Sequence, residues 1–239
     1  MPVALVTGAS KGLGRALSRH LAAAGWSLVL DARGATELDM AAQDLRRDLS
    51  RGAALSTVPG DVTDPVHRRA LVAAAAELGG LDLLVNNAST LGPTPLPALV
   101  TYPIDGLRTV LEVDVLAPLA LVQEAAPLLR TSARPVVVTI SSDAAVAAYP
   151  GWGGYGAAKA ALDQLSAVLA VEEPSFTVLS IDPGDMRTQM HQDAFPGEDI
   201  SDRPLPEEVA PLVARLIERG LPSGRYLAAD VALGTPAPR

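Results

Sequence analysis

The stretches LDLLV (Leu81 to Val85) and VVVTI (Val136 to Ile140) lack the strict alternation of apolar and polar residues that a half-exposed strand shows. Runs of this kind suit parallel strands covered on both faces, so a chain that carries them needs helices above and below a central sheet. Similar short runs of Val, Leu and Ile alternate with longer Ala- and Leu-rich stretches at helical spacing, the pattern of repeated strand and helix units. The reading places strands at Val3 to Thr7, Ser27 to Asp31, Ala54 to Val58, Leu81 to Asn86, Pro135 to Ser141, Thr177 to Ile181 and Arg225 to Ala228. It predicts an α/β fold in which these strands form one doubly wound parallel sheet, with residues 1–239 as a single domain. Pro103 to Leu129 reads as one long helix that Pro118 should bend. From Asp193 to Pro206 the composition turns to Pro, Asp, Glu and Gly, which marks a loop, and the last residues, GTPAPR, read as frayed.

Directly after the first strand comes TGASKGLG, with Gly8, Gly12 and Gly14, followed by an amphipathic helix through Ala24. Glycines at a strand-to-helix turn let the backbone approach a pyrophosphate, whose charge meets free N–H groups at the helix start. A dinucleotide is the natural ligand, although a tight connection alone has the same need for glycine. By the general rule an acid at the end of the second strand binds the adenosine ribose, which points to Asp31 and NAD.

A second polar group of interest lies in ISSDAAVAAYPGWGGYGAAKAAL, Ile140 to Leu162. Lys159 follows Tyr155 by four residues, so on a helix the two share a face one turn apart. A free tyrosine has a pKa near ~10 and is a poor acid or base at neutral pH. A nearby ammonium, helped by the positive end of a helix starting near Gly154, should lower that pKa and let the phenol trade a proton with a carbonyl or alcohol oxygen. The bland alternative is an ordinary surface pair. Tyr149 and Trp152, ahead of this helix, either pack against a substrate or cap the core.

More motifs follow in order: Asp61 and Val62, NNAS at Asn86 to Ser89, ISS at Ile140 to Ser142, YGAAK at Tyr155 to Lys159, and PGDMRT at Pro183 to Thr188. Together with TGASKGLG they resemble the pattern of the short-chain dehydrogenase/reductase family over nearly the whole chain. The resemblance implies a Rossmann-type doubly wound, seven-stranded parallel sheet with helices on both faces, and an oxidoreductase that moves hydride between NADP(H) and a carbonyl or alcohol substrate. It implies that Tyr155 trades the proton, that Ser142 holds the substrate oxygen and that Lys159 binds the nicotinamide ribose and tunes Tyr155. Ser141 then faces the other way and is left a structural hydrogen bond. For the cofactor it implies contacts from Gly8, Ser10, Lys11, Gly12, Leu13, Gly14, Arg33, Asp61, Val62, Asn87 and Ala88. Further along, Tyr155, Lys159, Pro183, Gly184, Met186 and Thr188 complete the set, and residues 185–206 shape the substrate pocket. In the family's register the NAD-selecting acid falls on Ala32, while Arg33 and Lys11 match cations that favour a 2′-phosphate, so NADP(H) is preferred to NAD(H). Asp61 could equally be a turn or cap before Pro65.

Two residues depart from that pattern. Asp114 stands where the family usually has an asparagine that serves a proton relay, and Ser89 replaces the last glycine of NNAG. An ionised Asp114 has no donor and could pair with Lys159, which puts turnover in doubt. A catalytically weak NADP(H)-binding sensor or scaffold is therefore the alternative of another class. Within enzymes the runner-up is a 3-oxoacyl thioester reductase, which would want a basic patch for an acidic carrier. Sugar-nucleotide epimerases share the Tyr and Lys but are generally longer. The net charge of -8 and pI near 4.9 speak against nucleic acid and anionic membrane as partners. There is no cysteine, hence no disulfide and no thiolate metal site, and no metal is expected. No window approaches the ~20 apolar residues of a membrane span. The expectation is a cytoplasmic homodimer or homotetramer acting on a small molecule.

Overall fold

A computed structural model describes residues 1–231, 234 and 238. The expected fraying of GTPAPR falls mostly outside the described residues. Seven strands form one parallel sheet in the order β3-β2-β1-β4-β5-β6-β7: β1 Val3–Val6, β2 Ser27–Ala32, β3 Leu55–Pro59, β4 Leu83–Asn86, β5 Val136–Ile140, β6 Thr177–Asp182 and β7 Gly224–Leu227. Each strand lies within two residues of the reading from sequence. Alternate side chains feed two layers of core. Ala4, Val6, Leu83, Val85 and Val138 face the helices α1 (Gly12–Ala23), α2 (Ala35–Leu45) and α8 (Pro206–Glu218) through Leu17, Leu38 and Val213. Val3, Leu5, Leu84 and Val137 face α3 (Pro65–Glu77) and α5 (Ala117–Leu129) through Leu71, Leu121 and Leu129. The sheet is buried on both sides, which is why its strands could be read as unbroken apolar runs.

Three more α-helices lie among the described residues: α4 Ile104–Leu111, α6 Gly153–Glu172 and α7 Gln189–Ala194. The predicted long helix is present, and its hydrogen bonding is irregular just ahead of Pro118. Between α4 and α5 the turn Glu112–Leu116 is a π-helix, and Pro118 is the second residue of α5. Proline has no N–H for the carbonyl four residues earlier, that of Asp114, so the irregularity falls one turn ahead of the proline. The predicted loop from Asp193 is entered through α7 and ends where α8 begins at Pro206. Leu84 is fully buried between the two layers. Leu84→Ala is expected to cost about 2–5 kcal/mol of stability, read as a lower urea midpoint at unchanged slope.

Candidate active site

β1 pairs with β2 on one side and with β4 on the other, so the strand order reverses there and a crevice opens at the carboxyl ends of the strands. One cavity of about 1210 Å³ runs along it. Lys11, Arg33 and Asp61 line one end, the glycine turn the middle, and Ser142, Tyr155, Lys159 and Thr188 the other. Every residue expected at the site lines this cavity except Gly14 and the fully buried Asp114.

The glycine turn is held from below. Thr7 accepts the N–H groups of Asn87 and Ala88 at 3.0 Å each through its hydroxyl, and the Asn87 amide donates to the carbonyls of Thr7 (2.8 Å) and Gly8 (3.2 Å). Asn87 lines the cavity as expected of a cofactor-side residue, while its amide nitrogen serves the turn. A Cβ at Gly14 would stand 2.4 Å from the Gly8 carbonyl oxygen, so only glycine allows this turn to close. Helix α1 starts into the crevice with no side chain capping its first N–H groups. Those free donors, the open mouth of the turn and the length of the cavity fit a dinucleotide with its pyrophosphate on α1.

At the end of the cavity past β2, Lys11 and Arg33 are exposed. Asp31 is not available there. Its carboxylate is 1% exposed, lies 2.6 Å from His67 Nε2 and accepts the Gly8 N–H at 3.4 Å. Burial pushes its pKa up, against the pull of His67. Asp61 accepts from the Thr63 N–H and hydroxyl in a turn of its own, while Asp64 caps α3.

At the other end, the N-terminal turns of α6 carry Tyr155, and Lys159 follows on the same face. The Lys159 ammonium is 5.3 Å from the centre of the Tyr155 ring and donates to the Ile140 carbonyl at 3.0 Å. Both residues are buried. The lowered Tyr155 pKa expected from sequence is not found: burial pushes the phenol up and outweighs Lys159, and the Asp114 charge pushes the same way. Spacing along a helix reveals the lysine; the surrounding protein that strips water from the phenol comes from distant segments.

Ser142 caps the short 3₁₀ turn Asp143–Ala145, accepting the Ala144 N–H at 3.2 Å and donating to Asp143 at 3.0 Å. Ser141 is buried and donates to Asp163 at 2.8 Å, a structural bond. Tyr149 is exposed and donates to Asp143 at 2.9 Å. Trp152 packs edge-on against Tyr155 at 5.6 Å and lies 5.8 Å from Phe195, closing a small cluster with Leu91 and Ala194. Thr188 caps α7 by accepting the His191 N–H at 3.2 Å.

Asp114 sits in the π-turn with no solvent exposure. The direct Lys159 pairing held open from sequence is not formed. Asp114 accepts instead from the Thr90 N–H and the Ser89 hydroxyl, both at 3.0 Å. Arg225 of β7 went unnoticed in the sequence. It donates to the Ser142 carbonyl at 2.9 Å and pairs with Asp163 at 3.1 Å and Asp182 at 3.0 Å. Asp163 was the readable signal, since it follows Lys159 by four on the same helix face.

The described residues hold no group of three or more His, Asp or Glu side chains that could bind a metal ion, and no helix long and apolar enough to cross a membrane. Residues 2–199 match the family described as short chain dehydrogenase. The rhamnolipid-biosynthesis 3-oxoacyl-[acyl-carrier-protein] reductase of Pseudomonas aeruginosa is 37% identical over 71% of this chain and 66% of that protein. Rat (Rattus norvegicus) sepiapterin reductase is 34% identical over 80% of this chain and 76% of its own length. A solved structure from Escherichia coli CFT073, described as a short chain dehydrogenase complexed with NADPH, superposes with a TM-score of 0.86 at 28% identity, covering 95% of this chain and 96% of that one.

Proposed function

The chain belongs to the short chain dehydrogenase family, an oxidoreductase family of nucleotide-binding Rossmann proteins, and on that premise we propose that it is an NADPH-dependent carbonyl reductase. The observation that carries this reading is the single cavity joining two exposed cations at one end to the buried Tyr155 and Lys159 at the other. When bound, the nicotinamide supplies the hydride for the carbonyl carbon of a small aldehyde or ketone. Tyr155 gives its phenolic proton to the carbonyl oxygen, and the Ser142 hydroxyl holds that oxygen. Lys159, fixed by the Ile140 carbonyl, stabilises the phenolate left behind. Asp114 acts behind them. Thr188, Pro183, Gly184 and Met186 would hold the nicotinamide end, and Ser10, Gly12 and Leu13 the pyrophosphate. Asp61, Val62 and Ala88 would hold the adenosine half. The whole chain is read as one domain, with 185–206 as its substrate segment, and as a cytoplasmic homodimer or homotetramer. Exposed Leu116, Val168 and Val171 around α5 and α6 support such pairing.

The NADPH preference rests on Arg33 and Lys11, with Asp31 turned inward onto His67. Arg33→Ala is expected to weaken NADPH binding about 10–100-fold, the worth of one charge-assisted contact, and NADH binding by far less. Fluorescence titration with both dinucleotides checks this, and an equal loss for the two would remove the phosphate contact.

NADPH oxidation across a panel of aldehydes, ketones, diketones and an acetoacetyl thioester tests the activity. Turnover of small carbonyls supports the proposal. Preference for the thioester would favour the reading that the Pseudomonas aeruginosa relative supports, a 3-oxoacyl reductase. Tight NADPH binding without turnover of any carbonyl would leave a sensor or scaffold.

A further inference from the structure

Asp31 is the next-to-last residue of β2 and borders the crevice that Lys11, Arg33 and Asp61 also line, yet its carboxylate is withdrawn from that space. Oδ1 lies 2.6 Å from His67 Nε2, and Oδ2 accepts the Gly8 N–H at 3.4 Å. The side chains of Asp31 and His67 are 1% and 7% exposed. His67 comes from the first turn of α3 and is held there from two sides. A Cβ on Gly60, the residue after β3, would stand 2.3 Å from His67 Nδ1, so the ring fills the place that a side chain at position 60 would take. The next residue, Arg68, donates to the Val62 and Thr63 carbonyls at 2.8 and 2.9 Å and pairs with Glu124 of α5 at 3.2 Å. These contacts fix the imidazole where it meets the acid.

We propose that His67 is a specificity-determining residue, which favours NADPH over NADH by keeping Asp31 out of the ribose site. This rests on the NADPH reading above. His67 is not among the residues that line the crevice, and it acts through Asp31 as a positioning residue. The two dinucleotides differ only at the adenosine 2′ position, a hydroxyl in one and a phosphate in the other. An ionised carboxylate accepts hydrogen bonds and donates none. Free in the crevice, Asp31 would accept from that hydroxyl and repel that phosphate. Bound to His67 it does neither, which leaves Arg33 and Lys11 as the groups that meet a phosphate.

Taking the imidazole away leaves a buried carboxylate without the partner that offsets it, a costly state. Protonation in place offers little relief at pH 8, because a solvated carboxyl with a pKa near ~3.9 favours the ionised form there by about 10⁴-fold. Turning into the crevice gives the charge to water instead. The acid then stands where the 2′ group of the ribose would bind, and the preference between the dinucleotides moves toward NADH.

The test is fluorescence titration of NADPH and NADH at pH 8 on the full chain, on His67→Leu, His67→Gln, Gly60→Ala and Asp31→Asn, and on the double variants Asp31→Asn/His67→Leu and Asp31→Asn/Gly60→Ala. His67→Leu is expected to move the ratio of the two affinities toward NADH by about 10–100-fold, the worth of one charge-assisted hydrogen bond. Gly60→Ala should move it the same way, because the added methyl pushes the ring off Asp31. His67→Gln keeps a donor for Asp31 and should hold the ratio near the parental value. Beside Asp31→Asn, neither His67→Leu nor Gly60→Ala should move the ratio further. A clip that only ties β2 to α3 would weaken both dinucleotides alike, so an unchanged ratio in His67→Leu overturns the proposal, as does a shift that persists beside Asp31→Asn. Thermal melts show whether each variant is folded; if His67→Leu is not, Gly60→Ala and its Asp31→Asn double variant decide by the same criteria. If the parent binds NADH as tightly as NADPH, the NADPH reading fails by itself, and the change in ratio between the parent and His67→Leu still decides the role of His67.

Discussion

Tyr155→Phe is expected to lower kcat for carbonyl reduction about 10²–10⁴-fold while NADPH binding changes little. The substitution removes one oxygen from a ring that keeps its packing against Trp152 and its place under Lys159. The fold and the cofactor cleft should therefore survive, and the loss should fall on the proton given to the substrate oxygen. Progress curves and a dinucleotide titration on the same preparation separate the two effects. Retention of rate in the variant would move the acid to another group, and the phenol's buried position would then need a different explanation.

Gly14→Val should do the reverse, damaging the cleft before the chemistry. Even the first carbon of a side chain would stand 2.4 Å from the Gly8 carbonyl oxygen and 2.5 Å from the Asn87 amide nitrogen. Neither neighbour can retreat freely, because the Asn87 amide ties the Thr7 and Gly8 carbonyls to the end of β4. We expect a loss of about 1–3 kcal/mol in stability from overpacking, together with at least a hundredfold weaker dinucleotide binding as the turn is pushed off α1. Urea denaturation and fluorescence titration measure the two losses. A variant with parental stability and affinity would show that the turn is more pliant than its contacts imply.

The architecture was legible because parallel strands buried on both faces leave a compositional trace. The Val136–Ile140 run could hardly be anything else once helices were seen on either side. Boundaries were less sharp. Leu81 looked like strand, yet β4 starts at Leu83, since Asp82 turns its side chain onto the Val3 N–H at 2.8 Å. The π-turn was not legible at all, because an apolar pattern drawn at 3.6 residues per turn does not record one extra residue. Pro118 announced a disturbance, but the missing hydrogen bond is the one owed to Asp114, a turn earlier. In the site, the residues that stand in motifs gathered in one cavity. What stayed hidden were partners far apart in the chain. Nothing near Asp31 foretells His67, and nothing near Ser142 foretells Arg225. The sign of the Tyr155 shift was hidden for the same reason, since burial is a property of the assembled fold.

Arg225 also ties function to the order in which the chain is made. Tyr155 and Lys159 leave the ribosome before the residue that grips the Ser142 carbonyl and balances Asp163 and Asp182. A nascent chain cut short before β7 would leave the Asp163 and Asp182 carboxylates without their cation, beside the Ser142 carbonyl. The ground beneath Ser142 is therefore set only once β7 has been made and has joined β6.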